Sequence, residues 1–447
     1  MRLKTCLGCG VVVLASLWLS LAHAADKAVL FENVFVFDGR SSERGRSPVN
    51  VLVVGDTIQT ISAAPIAPPA DAELTRVAGG GRTLMPGLID AHWHAMLIGQ
   101  KLVDAMTSDV GYTNLRAAQV AEATLMRGFT TVRDMGGPVQ GLRRAIEEGR
   151  FPGPRIFPSG AMISQTGGHG DFRLPHEVPR AASQGLSHTE LTRTAAIADG
   201  ADEVLRRTRE QLMLGATQIK LMAGGGVTSI YDPIDATQYT VDEIRAAVAA
   251  AENWGTYVTV HAYTSRAVQV AIEAGVKAVE HGQLVDEETV RLMAQKGIWW
   301  SLQPFLDNEL ANPQAGANRV KQLMVAAGTD RAYALARKHA VKVAFGTDIL
   351  FSGDNGEVQN ARLVSLERWY PPGEVLQIAT GNNGALLELT GERNPYRKPL
   401  GVVAEGALAD LLLVDGDPTA DLSLIKRPES SFVLIMKNGR IYKNLLP

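Results

Sequence analysis

The segment GLIDAHWHAM, residues 87–96, ends an apolar run with two histidines one residue apart. His92 and His94 are two of only nine histidines in a chain of 447 residues, so their spacing needs an explanation. On a β-strand, residues i and i+2 point to the same side and lie about 6.6 Å apart. We therefore expect both imidazoles to face inward and to share one metal ion, while Trp93 points to the other side.

Apolar, β-branched runs of this kind alternate with helical patterns over residues 85–392. The runs are LIDAH, FTTVR, RIFPSG, QIKLMA, YVTVHA, KAVEHG, IWWSLQ and VKVAFGTD. One helical pattern begins with a capping box, Thr240 to Glu243, and ends at Gly255. Strands that alternate with helices indicate parallel strands with right-handed crossovers, and eight such units predict an α/β fold, the (β/α)8 TIM barrel.

Strand patterns separated by turn signals also occupy both ends of the chain, residues 25–84 and 393–447. Asn438 and Gly439 form a strong hairpin signal between two apolar runs. Since neither end can bury its apolar face alone, we predict one small composite β-sandwich domain formed by both termini.

Residues 1–24 have the pattern of an export signal. Arg2 and Lys4 precede an apolar stretch, residues 11–21, and small residues surround a cleavage site after Ala24. The apolar stretch is shorter than the roughly 20 residues that a membrane helix needs. The pattern predicts a cleaved signal peptide and a secreted or periplasmic protein without a membrane partner; an uncleaved membrane anchor is the alternative.

The same segment contains both cysteines, Cys6 and Cys9. The predicted mature chain therefore has no thiol for catalysis, metal binding or disulfide bonds. Without Arg2 and Lys4, 42 basic residues remain against 47 acidic ones, a formal net charge of −5. No basic patch stands out, which argues against nucleic acid as a partner.

Four further polar residues stand near the carboxyl ends of predicted strands: Lys220 in QIKLMA, His261 in YVTVHA, His281 in KAVEHG and Asp348 in VKVAFGTD. The carboxyl ends of all barrel strands meet at one mouth, so these side chains should lie near the first two histidines. One such residue is typical of an ordinary rim position. Six together predict a metal site.

At this point the motifs resemble those of the metal-dependent amidohydrolase superfamily. The resemblance rests on PGLIDAHWH, the lysine after the fourth run, VTVHA, VEHG and FGTD, and on the flanking VLVVGDTI and GALADLLLVDGDP. It implies a binuclear site with zinc as the expected ion. In that site His92, His94 and Asp348 hold the buried ion, His261 and His281 hold the second, and Lys220 bridges both as a carbamate.

The carbamate is needed because an unmodified lysine is a cation and cannot act as a ligand. A salt bridge at the strand end is the alternative role for Lys220. Two divalent ions that share one water lower its pKa enough to supply hydroxide at neutral pH. Asp348 would take the proton from the attacking hydroxide and pass it to the leaving amine, so the resemblance implies amide hydrolysis without a covalent intermediate.

The segments RGFTTVRDMGG, GPRIFPSGAMISQTGGHGD and GATQIKLMAGGG resemble one branch of the superfamily. This branch holds Xaa-Pro dipeptidases, peptidases that release C-terminal Arg or Lys, and amidases that cleave N-acyl amino acids, including ochratoxin. The substrate implied is a small molecule or peptide with an amide bond to a C-terminal amino acid. The resemblance also implies a large homo-oligomer, with an octamer as the candidate size.

By the same analogy, His169 and Tyr263 orient the scissile carbonyl or the oxyanion, with loop packing as the alternative for His169. Arg133 is a candidate ligand for a substrate carboxylate, or it forms an ion pair with Asp134. Three other histidines, at positions 176, 188 and 339, lack a strand-end position and are expected in the surface or core.

Three long connections, residues 161–200, 303–325 and 349–370, follow predicted strands and should form the walls and lid of a pocket. A surface insertion is the alternative for residues 303–325. A rival function is a deaminase or cyclic-amide hydrolase of the imidazolonepropionase type. Single-metal members of that type generally lack the bridging lysine, so Lys220 argues against it. A metal-binding scaffold without turnover does not explain the long loops.

Overall fold

The computed structural model describes residues 27–178, 185–353 and 358–447. The predicted signal peptide, residues 1–24, lies outside these ranges. Within them, no helix combines the length and apolar character needed to cross a bilayer.

The strands of the described residues are β1 (Lys27–Val36), β2 (Val49–Val54), β3 (Thr57–Ser62), β4 (Glu73–Ala78), β5 (Thr83–Pro86), β6 (Leu88–Trp93), β7 (Phe129–Asp134), β8 (Arg155–Pro158), β9 (Met162–Ser164), β10 (Ala195–Ile197), β11 (Ile219–Met222), β12 (Val258–Thr264), β13 (Ala278–Leu284), β14 (Trp299–Ser301), β15 (Val343–Ala344), β16 (Leu411–Val414), β17 (Phe432–Lys437) and β18 (Arg440–Asn444).

The α-helices of the same residues are α1 (Leu102–Thr107), α2 (Val110–Met126), α3 (Gln140–Glu147), α4 (His188–Leu191), α5 (Ala201–Met213), α6 (Val241–Trp254), α7 (Ser265–Ala274), α8 (Glu287–Lys296), α9 (Gly316–Lys338), α10 (Gln359–Val364), α11 (Pro372–Gln377), α12 (Asn383–Leu387), α13 (Ser423–Lys426) and α14 (Pro428–Ser431). Shorter helical turns lie at Pro175–Glu177, Ser365–Arg368, Ile378–Asn382 and Glu388–Arg393.

Strands from both ends of the chain form one sheet in the order β18-β17-β16-β5-β1-β2-β3, with β4 beside β1. The two ends meet where β5 and β16 pair antiparallel, with Leu84 opposite Leu413. Asn438 and Gly439 both have positive φ, as a tight turn between β17 and β18 requires. The arrangement of this sheet as a sandwich stays a prediction.

All eight runs predicted as parallel strands form strands, namely β6, β7, β8 and β11 to β15. They lie in two parallel sheets, one with the order β6-β7-β8 and one with the order β10-β9-β11-β12-β13-β14-β15. The strands β9 and β10 lie in the predicted 161–200 connection, and each has only three residues, too few to show a period. The fold is therefore a mixed α/β fold with parallel sheets, not one continuous eight-stranded ladder.

Backbone hydrogen bonds also join these two sheets. Ala91 N–H on β6 donates to Phe345 O just beyond β15 at 2.9 Å, and Thr217 N–H donates to Pro158 O at the end of β8 at 2.7 Å. The first and last predicted strands are therefore neighbours in space.

Helix α6 shows how local sequence positions the strand that follows it. The Thr240 side chain accepts a hydrogen bond from Glu243 N–H, the Glu243 carboxylate accepts one from Thr240 N–H, and Gly255 ends the helix at φ 79°. The predicted capping box is thus confirmed; such a cap stabilises a helix by about 1 kcal/mol. The buried face of α6, including Ile244 and Ala251, packs in the core beside β12.

A candidate metal centre at the carboxyl ends of the strands

His92, His94 and Asp348 form a cluster at the carboxyl end of β6, in which both histidines are buried and Asp348 is partly exposed. Their candidate ligand atoms all lie within 4.8 Å of one another. The Nε2 atoms of His92 and His94 each lie 3.4 Å from Asp348 Oδ1. Asp348 is held there by its N–H, which donates to His92 O at 2.8 Å, and its φ of 47° is in the left-handed region that non-glycine residues rarely adopt. Such strain is typical of functional positions.

In each of the four histidines that are candidate ligands, one ring nitrogen is held by a hydrogen bond to another group of the protein. Each lies against an oxygen acceptor: His92 Nδ1 at 2.8 Å from Glu280 Oε2, His94 Nδ1 at 3.4 Å from Gly136 O, His261 Nε2 at 3.0 Å from Gly225 O, and His281 Nδ1 at 2.8 Å from Gln303 Oε1. Carboxylate and carbonyl oxygens only accept, so these nitrogens carry the proton. The other nitrogen of each ring keeps its lone pair, which is the arrangement typical of metal-binding histidines.

Electrostatics also favour a cation between His92 and Asp348. Burial lowers the pKa of His92 to about 4, so the ring is neutral at pH 7. Burial by itself raises the pKa of Asp348, but His92, His94 and His281 outweigh it and hold that pKa well below its ordinary value. A neutral ring nitrogen and a carboxylate then face each other with no proton between them. The donor set therefore fits a metal ion, which would bind to both.

The structure brings the other three predicted ligands, Lys220, His261 and His281, into the same small cavity of about 370 Å³. The His281 ring centroid lies 4.5 Å from that of His261 and 4.9 Å from that of His92. Lys220 is 1 % exposed, and burial lowers its pKa to about 8 even though Glu280 and Asp348 oppose the shift. Its amine is therefore neutral more often than that of an ordinary lysine. We call this the inner cavity.

Glu280, which the sequence did not single out, lies directly behind this cluster. Regular alternation along β13 would turn Glu280 and His281 to opposite sides. His281 instead has φ 76°, and Gly282 has the same value, so the strand departs from a regular pleat and both side chains contact the site. The Glu280 carboxylate then accepts a hydrogen bond from His92 Nδ1. Burial alone would raise the pKa of Glu280. The nearby Arg133 and His92 outweigh burial and hold that pKa well below its ordinary value.

Arg133 lies behind the site rather than at its mouth. The guanidinium is fully buried and donates to Glu280 Oε1 at 2.6 Å, to Tyr257 Oη at 3.0 Å and to Ala91 O at 2.6 Å. The expected pair with Asp134 is wrong, because that carboxylate instead accepts backbone N–H groups. Arg133 therefore holds Glu280 in place, and it is not positioned to bind a substrate carboxylate.

His169 and Tyr263 lie where the inner cavity opens outward. The His169 ring stacks on His261 with centroids 4.1 Å apart, and its Nδ1 lies 2.9 Å from Ser229 Oγ. The Tyr263 ring centroid lies 5.1 Å from those of both His261 and His281. Both predicted substrate-contacting residues are thus beside the candidate ligands.

A second cavity of about 870 Å³, open to solvent, adjoins the first and shares His169, His261 and Asp348 with it. We call it the outer cavity. Its wall includes residues 304–312, together with Leu350 and Arg362. The segment 303–325 therefore forms a wall of this cavity, as its position after a predicted strand indicated. The alternative of a surface insertion is wrong. The remaining described histidines lie outside both cavities.

A parallel α/β scaffold with a His-His-Asp cluster beneath an open cavity is typical of metal-dependent hydrolases. The model of the Amidohydrolase family matches residues 83–443, and the chain belongs to this family. It is a hydrolase that acts on amide bonds.

Three relatives illustrate the match. An ochratoxinase from Aspergillus niger is 32 % identical over 375 residues, which cover 80 % of this chain and 75 % of that protein. A crystal structure of a prolidase complexed with N-methylphosphonate-L-proline is 33 % identical, with a TM-score of 0.84, and the match covers 94 % of this chain and all of that one. An imidazolonepropionase from Deinococcus radiodurans is 27 % identical, covering 82 % of this chain and 85 % of that protein.

Proposed function

We propose that this chain is a binuclear metal amidohydrolase that cleaves the amide bond to a C-terminal amino acid. The observation that carries the proposal is the direct opening of the inner cavity, with its oriented ring nitrogens, into a larger cavity that is open to solvent and shares His169, His261 and Asp348 with it. The likeness to a prolidase and to an ochratoxinase supports the same bond type.

The proposed metal ligands are six residues that line the inner cavity. His92, His94 and Asp348 would hold one ion, His261 and His281 would hold the other, and Lys220 would serve as a further ligand in the form of a carbamate. The lowered pKa of Lys220 supports the carbamate, because only a neutral amine can react with carbon dioxide. Zinc is the expected ion, because imidazole nitrogens and carboxylate oxygens are among its preferred donors.

Two divalent ions bound there would supply a nucleophilic water at neutral pH and would polarise the scissile carbonyl. Asp348 accepts a proton from the attacking water as the new C–O bond forms. It then donates that proton to the amine nitrogen as the C–N bond breaks. Burial raises the pKa of Tyr263 well above its ordinary value, so its hydroxyl stays protonated and, with His169, is placed to orient the substrate carbonyl.

We also propose that the two parallel sheets together form the closed (β/α)8 barrel, and that the sheet made from both chain ends is a β-sandwich. The backbone hydrogen bonds of Ala91 and Thr217 between the two sheets support the closure. The pattern of residues 1–24 supports export, and the proposed assembly is a homo-oligomer. A reporter fused after Ala24 tests the export, which is rejected if the reporter stays in the cytoplasm.

The first experiment measures amino acid release from Xaa-Pro, Xaa-Arg, Xaa-Phe and N-acyl-Phe substrates with zinc-loaded protein. We expect release that is lost on chelation and in His261→Ala. The matched control is His176→Ala, which removes an exposed histidine outside both cavities. Absence of release from the whole panel rejects the proposed substrate class.

A second candidate function is a cyclic-amide hydrolase, which the imidazolonepropionase relative favours. The two candidates differ in the number of ions and in the role of Lys220. Two metal ions per chain, with loss of one in Lys220→Ala, support the amidohydrolase proposal. One ion per fully loaded chain, together with turnover of a cyclic amide, supports the second candidate.

A further inference from the structure

Ser229 lies in the connection between β11 and α6 and lines neither the inner nor the outer cavity. The residue is buried, and its Oγ lies 2.9 Å from His169 Nδ1. His169 lines both cavities, and its Nε2 has no hydrogen-bond partner within the described part of the chain. One nitrogen of this ring is therefore held by the protein, whereas the other is free for a substrate atom.

The backbone of this connection is fitted to the His169 ring. A Cβ atom on Gly226 would lie 1.9 Å from His169 Nδ1, so only glycine lets the ring lie against the chain here. Gly226 N–H donates to the buried Asp232 carboxylate at 2.7 Å. From α9, Lys321 Nζ donates to Asp232 O at 2.7 Å and to Ser229 O at 3.3 Å. The Ser229 hydroxyl is thus held at one edge of the ring.

The group that faces Nδ1 determines which nitrogen of a neutral imidazole carries the proton. The Ser229 hydroxyl can donate or accept, whereas a carboxylate only accepts. Asp232 Oδ2 lies 3.7 Å from His169 Nδ1, beyond hydrogen-bonding distance, and it already accepts from Gly226 N–H and, at 3.1 Å, from Gln238 Nε2. Within residues 27–178, 185–353 and 358–447, Ser229 is therefore the one side chain that hydrogen-bonds to this nitrogen.

The Ser229 hydroxyl has one hydrogen and two possible acceptors. His169 Nδ1 lies at 2.9 Å and Gly226 O lies at 3.3 Å, so the contact with the ring is the shorter one. Donation to Nδ1 places the ring proton on Nε2, the nitrogen without a protein partner. That nitrogen can then donate to a carbonyl oxygen, which only accepts. The opposite tautomer would turn a lone pair toward the substrate oxygen and repel it.

We propose that Ser229 is a positioning residue: its hydroxyl donates to His169 Nδ1 and so fixes the tautomer whose Nε2–H binds the scissile carbonyl oxygen. The inference rests on the proposed function and adds a requirement to it, because His169 can orient the carbonyl in only one of its two neutral forms. Ser229 acts through His169, since it lines neither cavity.

The first test identifies the protonated nitrogen from imidazole proton–nitrogen NMR spectra of zinc-loaded protein with isotope-labelled histidine. The spectrum of His169→Ala assigns the ring by its missing signals. We expect the wild type at neutral pH to carry the proton on Nε2, and Ser229→Ala to populate the form with the proton on Nδ1. A wild-type proton on Nδ1 overturns the proposal, since His169 then presents only a lone pair to the substrate.

The second test is a double-mutant cycle between Ser229 and His169 with an N-acyl-Phe substrate. We expect His169→Ala to lower kcat about 100-fold and Ser229→Ala about 10-fold, with KM and metal content within about 3-fold of wild type. In the double variant, loss of Ser229 should change kcat by less than about 2-fold, because the ring through which it acts is gone. Ser430→Ala, which removes an exposed hydroxyl outside both cavities, is the matched control.

Equal losses from Ser229→Ala in the wild-type and His169→Ala backgrounds also overturn the proposal, because a residue that only fastens the loop affects both alike. Thermal unfolding of each variant measures that separate contribution to stability. Failure of every substrate with the wild-type proton on Nε2 rejects the proposed reaction but supports the orientation of His169 by Ser229. Normal turnover with the proton on Nδ1 rejects the role of Ser229 and supports the reaction.

Discussion

The inner and outer cavities are built from different parts of the fold. The inner cavity takes its candidate ligands from the parallel strands and from residues just beyond them, and each ligand histidine ring is oriented by a hydrogen bond to a neighbouring group. The outer cavity is lined mainly by segments between strands and helices, including residues 304–312 and Leu350. The difference indicates that the sheets hold the reacting groups, whereas the connections determine which substrate reaches them.

Asp348→Asn should produce the largest effect, since it changes the one inner residue assigned both a ligand and a proton-transfer role. The amide cannot accept the proton of the attacking water, so turnover should fall by about 1,000-fold or more while metal stays bound. Metal analysis and steady-state kinetics on the same sample measure both quantities. Near-normal turnover rejects the proton-transfer role.

Glu280→Gln should separate ring orientation from direct ligation. The change weakens the hydrogen bond that orients His92 and leaves the buried Arg133 guanidinium without its carboxylate. Metal affinity should fall about 10-fold to 100-fold. The free energy of unfolding should fall by about 3–5 kcal/mol, because one charge of a buried pair is removed.

Metal titration and chemical denaturation measure these two effects. Glu287→Gln is the control, because its carboxylate is exposed and pairs with Lys338 and His339 at the surface. Unchanged metal affinity in Glu280→Gln contradicts the orienting role, even if the protein is destabilised.

A fall in pH should destabilise the metal-free protein, because the buried histidines of the inner cavity and His169 are neutral in the folded state. Burial lowers the pKa of His92 and of His169 to about 4, whereas unfolded histidines have a pKa near 6.5. Between these two pKa values the unfolded chain binds more protons than the folded chain. The part of the free energy of unfolding that is present above pH 6.5 is therefore lost as the pH falls toward 4. Each such histidine contributes about 1.4 kcal/mol per pH unit in this window.

Denaturation curves of metal-free protein between pH 7 and 4.5 measure this slope. His92→Gln should reduce it, because the amide does not titrate, and His176→Ala serves as the exposed control. A stability that does not change across this range contradicts neutral buried rings.

The inner cavity was largely predictable because strand ends carry a readable signal. All eight runs form strands, and the six residues placed at their ends meet in one cavity. Glu280 was missed because the left-handed backbone at His281 breaks the alternation on which side assignment depends. The true partner of Arg133 was missed for the same reason, since regular alternation along β13 would put Glu280 on the other face.

The outer cavity was not predictable in this way. Residues 303–315 have no hydrophobic period, so their placement depends on tertiary contacts that sequence spacing does not encode. Arg362 occupies an ordinary helical position, and only the fold shows that it lines the outer cavity. The strands β9 and β10 were likewise too short to recognise.

Phe305→Ala should give the smallest effect and tests the outer cavity alone. Phe305 lies on the wall with its ring centroid 6.0 Å from that of His281, and it donates no hydrogen bond from its side chain. Loss of its apolar surface should raise KM for Xaa-Phe by about 5-fold to 20-fold, equivalent to about 1–2 kcal/mol, with kcat and metal content within about 2-fold of wild type. Xaa-Pro, with a smaller leaving residue, should change less.

Phe151→Ala, at an exposed position remote from both cavities, is the matched control. A fall in kcat or metal content in Phe305→Ala contradicts the separation of the two cavities, because it means that the wall also positions the ligands through the His281 ring. A raised KM alone supports the division: residues on connections then alter substrate binding while the strand ends keep their metal and their chemistry. Equal changes for Xaa-Phe and Xaa-Pro place the leaving side chain away from Phe305 and assign that pocket to another part of the wall.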